Sequence, residues 1–286
     1  MPLLNTAGID HVVVAVRDLD QATNLWRALG FTLSPRGTHS AHLGTGNHTI
    51  MLGEDYIELL GVLKATDYNA PVRTFLDQRE GLERSAFTAV DSARLVTELQ
   101  QRGIAATGPV DFGRPVTLAD GRVIDAKFRT AYWPHDLRIG GMRLFACQHY
   151  TREAVWRPEL QTHANGADRI AEIEIVTVDA RKTAAHLTEL IDKPATREPD
   201  GAHRLPSGGG RADFLIMTRA MLAARHPGAA LDGLPTEGAI GLSLHVRDRA
   251  VLKGFAKVPG AVLNDGALTI PPASANGMLL TLSQGL

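Results

Sequence analysis

The chain has 286 residues, 44% hydrophobic and 21% charged, with 30 Lys and Arg against 31 Asp and Glu and a formal net charge of −1. That length and apolar content suit two domains or one large repeated one with a sizeable core, and exclude a disordered or fibrous chain. The balanced charge lacks the basic excess of a nucleic-acid or anionic-membrane binder, and a single cysteine, Cys147, permits neither an intrachain disulfide nor a multi-cysteine zinc site.

No apolar run approaches the roughly 18 to 20 residues of a membrane span, and Met1-Pro2-Leu3-Leu4-Asn5 lacks the basic stretch and apolar core of a secretion signal. A reducing, cytoplasmic setting is the expectation. In chain order, Ile9–Val16 is a β-rich run that stops at Arg17-Asp18, after which Ala22, Leu25, Trp26 and Leu29 recur at helical spacing until Gly30. Asp18 is the predicted helix cap, with Asp20 as the alternative. Short strands are predicted at Phe31–Pro35, Asn47–Leu52 and Tyr56–Val62. The order returns at Ser85–Val90, capped by Asp91, with Leu95, Val96 and Leu99 on the helix and strands at Val110–Val116, Val123–Trp133 and Met142–His149. It returns at Ile170–Val178 with Asp179, then strands at Ala202–Leu205 and Ala212–Thr218. The last return is Ala239–Val246 with Asp248, then strands at Ala261–Leu263, Ala267–Ile270 and Met278–Leu282. The capping aspartates lie about 70 to 90 residues apart, which suits a β-α-β-β-β unit and a connector, four times over. The predicted class is α+β.

The opening run Asp10-His11-Val12-Val13-Val14-Ala15-Val16-Arg17-Asp18-Leu19-Asp20-Gln21-Ala22 and the closing run Tyr56-Ile57-Glu58-Leu59-Leu60 resemble the vicinal oxygen chelate superfamily, and within it the glyoxalase-like group. The match is most specific over residues 8–64; the other units share element order more than residue identity. The resemblance implies that modules pair and that each pair rolls its sheet into a cup holding a small molecule. The first half is then 8–150, with modules 8–64 and 83–150, followed by a connector 151–167. The second half is 168–286, with modules 168–225 and 236–286. Glyoxalases, extradiol dioxygenases, epimerases and resistance proteins share this fold, so it does not name a reaction.

In metal-bearing members the ligands come from the first and last strands of paired modules, positions that fall here on His11 and Glu58. The implied ion is divalent iron, manganese, nickel or zinc, with open positions that chelate two neighbouring substrate oxygens for a lyase, isomerase or extradiol-type dioxygenase reaction. Period-two geometry puts His11 on one face with Val13 and Ala15, and Glu58 with Tyr56 and Leu60. The counterpart of His11 in the second module falls on Arg84 or Ser85, neither a metal ligand. His149 is the best third donor on that module's last strand, with Gln148 a poorer one. The rival reading is a metal-free cup that binds or sequesters a small molecule. Glu172, Glu174 and His245 in the last two modules lack acidic or histidine partners on their closing strands, so the carboxy-terminal half is expected to be metal-free.

Gly44-Thr45-Gly46-Asn47 resembles a cup-lining stretch of the group, which makes Asn47 a substrate-binding candidate beside one of His39, His42 and His48, with His39 put forward. Trp133 and His163, near the end of the second module and its hand-over to the third, are further substrate-binding candidates, against plain roles as a strand end and a packed linker. Cys147 has no basic neighbour in sequence and is assigned no chemistry. Gly208-Gly209-Gly210 lacks the Lys-Ser/Thr of a phosphate loop and reads as a flexible hairpin tip. The substrate itself is not legible, and a homodimer is compatible with exposed sheet edges.

Overall fold

The computed structural model describes residues 2–118 and 121–285. Met1, Ala119, Asp120 and Leu286 lie outside the described residues, and of Thr117 only the backbone is described. The first module consists of β1 (Thr6–Val16), α1 (Leu19–Ala28), β2 (Gly37–Thr38), β3 (Thr45–Met51) and β4 (Tyr56–Val62). A connecting helix α2 (Ala70–Gln78) leads to the second: β5 (Gly81–Ala89), α3 (Ser92–Gln101), β6 (Thr107–Thr117), β7 (Val123–Tyr132) and β8 (Arg143–His149). The third has β9 (Ala167–Val176), α4 (Ala180–Ile191), β10 (Thr196–Arg197), β11 (His203–Pro206) and β12 (Asp213–Met217). After α5 (Arg219–Arg225) comes the fourth: β13 (Gly238–Val246), a 3-10 helix at Arg249–Phe255, β14 (Val262–Asn264), β15 (Ala267–Ile270) and β16 (Leu279–Ser283).

Each module helix starts where an aspartate stops a strand. The carboxylates of Asp18, Asp91, Asp179 and Asp248 accept hydrogen bonds from backbone amides in the first turn, satisfying donors that the helix itself cannot. Two helices escape the sequence pattern. Asn69 caps α2 without a side-chain hydrogen bond, and α5 has only seven residues. The strand predicted at Phe31–Pro35 does not form: the amide of Phe31 goes to the carbonyl of Trp26 and that of Thr32 to His163 Nδ1 instead of to a ladder, and Pro35 has no amide to give one. The glycine tip after β11 is not free: Ser207 Oγ accepts the amide of Ile9 at 3.0 Å, tying that turn to β1.

The strands form two eight-stranded sheets of one topology, β2-β3-β4-β1-β5-β8-β7-β6 and β10-β11-β12-β9-β13-β16-β15-β14. In the first, β1 runs parallel to β4, with Val13 opposite Glu58, and antiparallel to β5, with Val13 opposite Arg84; β5 in turn runs parallel to β8, with Arg84 opposite Arg143. The edge strands β2 and β6 approach each other, and the guanidinium of Arg114 on β6 packs over Gly37 on β2, so this sheet curls into a nearly closed cup. The convex faces of both sheets share a single core with α1, α3 and α4. No helix among the described residues is long and apolar enough to cross a membrane.

Candidate functional site in the first cup

Alternation along the strands decides which side chains enter the first cup. His11, Val13, Tyr56, Glu58, Leu60, Thr45, Asn47 and Thr49 point inward from β1, β4 and β3, while their sequence neighbours point to the core. They line a cavity of about 450 Å³, closed on the other side by Phe128, Thr130, Tyr132, Phe145 and Cys147 of the second module. A shallower groove of about 550 Å³ follows the outside of β6 and β7 past the Asp111–Arg129 ion pair and is open to solvent. The buried polar groups converge in the cup.

Asp10 is the hidden member. It is fully buried and accepts three hydrogen bonds: from His11 Nδ1 at 2.7 Å, His149 Nε2 at 3.0 Å and Thr88 Oγ1 at 3.0 Å. Burial alone would push its carboxyl up, but these donors hold it well below the usual carboxylate range. An ionised carboxylate only accepts, so the proton sits on His11 Nδ1 and Nε2 is presented to the cavity. The ring is held from its face by Tyr56, stacked at 4.3 Å. Nε2 lies 3.8 Å from Glu58 Oε2. The other Glu58 oxygen, Oε1, accepts Asn47 Nδ2 at 2.7 Å. Burial works to raise the Glu58 carboxyl, yet His11, His39 and the Asn47 amide hold it below its ordinary value. Gly37 has to be bare here, since a Cβ would meet Asn47 Oδ1 at 2.3 Å. His39 lines the cavity with Nδ1 2.7 Å from Thr45 Oγ1, and burial lowers its basicity.

The remaining candidates lie elsewhere. His149 faces the same way as Cys147 but sits at the end of the row, its Nε2 spent on Asp10 and its ring enclosed edge-on by Phe128 and Trp156. Trp133 follows the inward Tyr132 and therefore points to the convex side, where its ring packs on Phe87 and Nε1 donates to the carbonyl of Leu190 at 3.0 Å. His163 ties the connector to the first module, accepting the amide of Thr32 on Nδ1 and donating from Nε2 to the carbonyl of Met51. Neither borders the cavity. Burial and the nearby carboxylates push the Cys147 thiol well up, so it stays protonated.

The family described as a glyoxalase-like domain matches residues 9–191, nearly two thirds of the chain. The chain belongs to the glyoxalase-like family. Solved structures share the fold of this glyoxalase-like protein over both halves. A hypothetical protein from Staphylococcus aureus superposes with a TM-score of 0.68 at 13% identity, covering 96% of this chain and 98% of that one. A mutant 4-hydroxymandelate synthase from Streptomyces coelicolor gives 0.60 at 14% identity, covering 98% and 92%. A xylose isomerase-like TIM barrel/4-hydroxyphenylpyruvate dioxygenase fusion protein gives 0.57 at 16% identity, covering 92% of this chain and 41% of that one. No curated protein matches in sequence. At these identities the likenesses show the vicinal oxygen chelate fold alone.

The donor set of this glyoxalase-like cup does not fit a resident divalent ion held by three protein ligands. His11 and Glu58 converge, but among the described residues no third His, Cys, Asp or Glu joins them. Where the second module would supply a ligand, Arg84 and Phe145 face the cavity. Sequence reasoning located the Arg84 position but passed over the residue because it is no ligand. Asp10 was missed altogether, although Asp-His at a strand start was a usable signal.

Proposed function

We propose that the first cup binds a small organic molecule and moves a proton on it without a metal, as an isomerase or lyase acting next to a carbonyl. The observation that carries this reading is the open pair formed by His11 Nε2 and Glu58 Oε2, 3.8 Å apart at the cavity wall, with the far side of each group already fixed by Asp10 and Asn47. A substrate carbon held at Glu58 Oε2 would lose its proton to that oxygen. The C–H electron pair moves onto the carbonyl oxygen as an enolate, and return of the proton to the same or a neighbouring carbon completes an isomerisation. His11, held with its own proton on Nδ1, can take the abstracted proton from Glu58 Oε2 onto the bare Nε2 and pass it to the enolate, which leaves the ring neutral again. The apolar wall of Phe128, Phe145 and Leu60 keeps water from competing for that proton.

The test is carbon-bound proton exchange in D2O, followed by NMR over a panel of aldehydes and ketones with an acidic α-hydrogen. Wild-type protein should exchange at least one of them, and His11→Gln and Glu58→Gln, folded by circular dichroism, should each lose about 100-fold or more. Exchange at the wild-type rate in both variants would refute the reading. So would near-stoichiometric metal in gently purified protein that disappears from a His11→Ala, Glu58→Ala double variant. Binding without exchange by any panel member would favour the rival role of sequestration, which the apolar cavity also supports.

A further inference from the structure

The cup holds more positive charge than proton transfer uses. One row of side chains crosses its floor from strand to strand: Thr49, Glu58, Val13, Arg84 and Arg143, each opposite the next in the register. The row is negative at one end and positive at the other. Arg84 and Arg143 are neighbours on adjacent strands and share one hydrogen-bonded carboxylate, the buried Glu83, whose Oε2 takes Arg84 Nε and whose Oε1 takes Arg143 Nε at 2.6 Å. One carboxylate thus contacts two guanidinium groups, and the next negative charge, Glu58, lies two strands away beyond Val13, so the outer end of Arg84 carries a positive charge with no contacting anion. Such a charge is costly to bury unless a further anion completes the set.

The atoms available for that anion belong to Arg84. Its Nε is committed to Glu83, whereas Nη1 and Nη2 make no hydrogen bond with the described residues, and the side chain lines the cavity with 20% of its surface exposed. Two terminal nitrogens of one guanidinium form a flat fork that matches the two oxygens of a carboxylate. Across β5, β1 and β4, two interstrand spacings separate the backbone of Arg84 from that of Glu58, about 10 Å. A small molecule of a few carbons spans that distance over Val13.

We infer that the cup selects an organic carboxylate, gripped at its acid group by the Nη1–Nη2 fork of Arg84, with its carbon skeleton lying over Val13 toward Glu58. Like-charge repulsion from Glu58 fixes the direction, since the carboxylate cannot approach that end of the row. Arg143, opposite Arg84 on β8, adds attraction at the same end of the row. The orientation rests on the proton-transfer reading; the acid-binding subsite does not.

Titration calorimetry with phenylacetate and 3-phenylpropionate, each beside its primary amide at matched ionic strength, tests this. Both acids should bind at least tenfold more tightly than their amides. Arg84→Gln should lose that advantage, Arg84→Lys should recover only part of it, and Glu58→Gln should bind the acids as well as or better than wild type. Equal binding of acid and amide, no binding of either acid, or undiminished acid binding by Arg84→Gln would overturn the inference. Should Arg84→Gln fail to fold, the acid–amide ratio of wild type and of Arg84→Lys decides alone. Arg84-dependent acid binding in a protein that exchanges no α-proton would leave this subsite standing and remove the proton-transfer reading; exchange without acid preference would do the reverse.

Discussion

Asp10 shows how much of the site's chemistry rests on a residue that never meets the cavity. Its carboxylate gathers three donors and sets the tautomer of His11. Asp10→Asn keeps the size but lets the ring turn or change tautomer, so α-proton exchange should fall about 10- to 100-fold with an altered pH profile while substrate affinity changes little. A fall in affinity alone, with an unchanged profile, would show Asp10 to be structural only. Asp55 makes the opposite case. It is 2% exposed, and burial pushes its carboxyl up to about 7 although it accepts the amide of Ile170. Because the fold prefers the neutral acid, its contribution to stability is complete below the ordinary carboxyl range and is lost as pH rises through about 7. Asp55→Asn keeps an acceptor for Ile170 and removes the buried charge. Urea melts should find the variant more stable than wild type at pH 8, by up to about 4 kcal/mol, with the gain vanishing toward pH 4. An equal gain at both pH values would show that the charge is not its source.

Among the elements, the strands and capped helices were legible because their signals are local: β-branched runs ending on an aspartate, then apolar residues at helical spacing. Glu58 and Asn47 were legible through the resemblance of their strands to the glyoxalase-like group, and alternation along β4 and β3 turns both inward. Arg84 was not, because its meaning comes from the register across β4, β1 and β5 and not from β5 itself. Trp133 was misplaced by one residue of period-two geometry, which sends it and Tyr132 to opposite faces. The last two modules repeat the topology with different contents. At the register position of Glu58 stands Leu215, and α5 with its following loop brings Leu222, Leu231 and Leu234 against Leu215, Met217 and Leu279. Glu174 is enclosed there, accepting Ser243 Oγ at 2.9 Å and lying 3.1 Å from His226 Nε2. A Cβ on Gly241 would come within 2.5 Å of its Oε2. Gly241→Ala should therefore cost about 2 to 3 kcal/mol in thermal or urea unfolding, whereas Gly254→Ala, with open space around its Cβ, should be nearly neutral. Equal effects of the two would remove this account of Glu174.

At the scale of the molecule, the halves are not separable bodies. Phe87 of β5 lies between Trp133 and Phe214 of β12, Trp133 donates to Leu190 of α4, and Arg102 pairs with Asp192 at 2.8 Å. Trp133→Ala should destabilise both halves together by about 3 to 5 kcal/mol. Fluorescence and far-ultraviolet circular dichroism should report one coincident transition in wild type; two resolved transitions would contradict a shared core.

The filled carboxy-terminal cup then acquires a meaning that its lack of chemistry conceals. Leucines packed into one copy of the repeat act as ballast for the other. The open copy can keep arginine charge and ionised carboxylates in an apolar wall, features that weaken a small domain. If the first cup binds as proposed, a fold with one copy solid and the other hollow is a division of labour, in which changes to the hollow copy would alter what is bound while the solid copy keeps the protein folded.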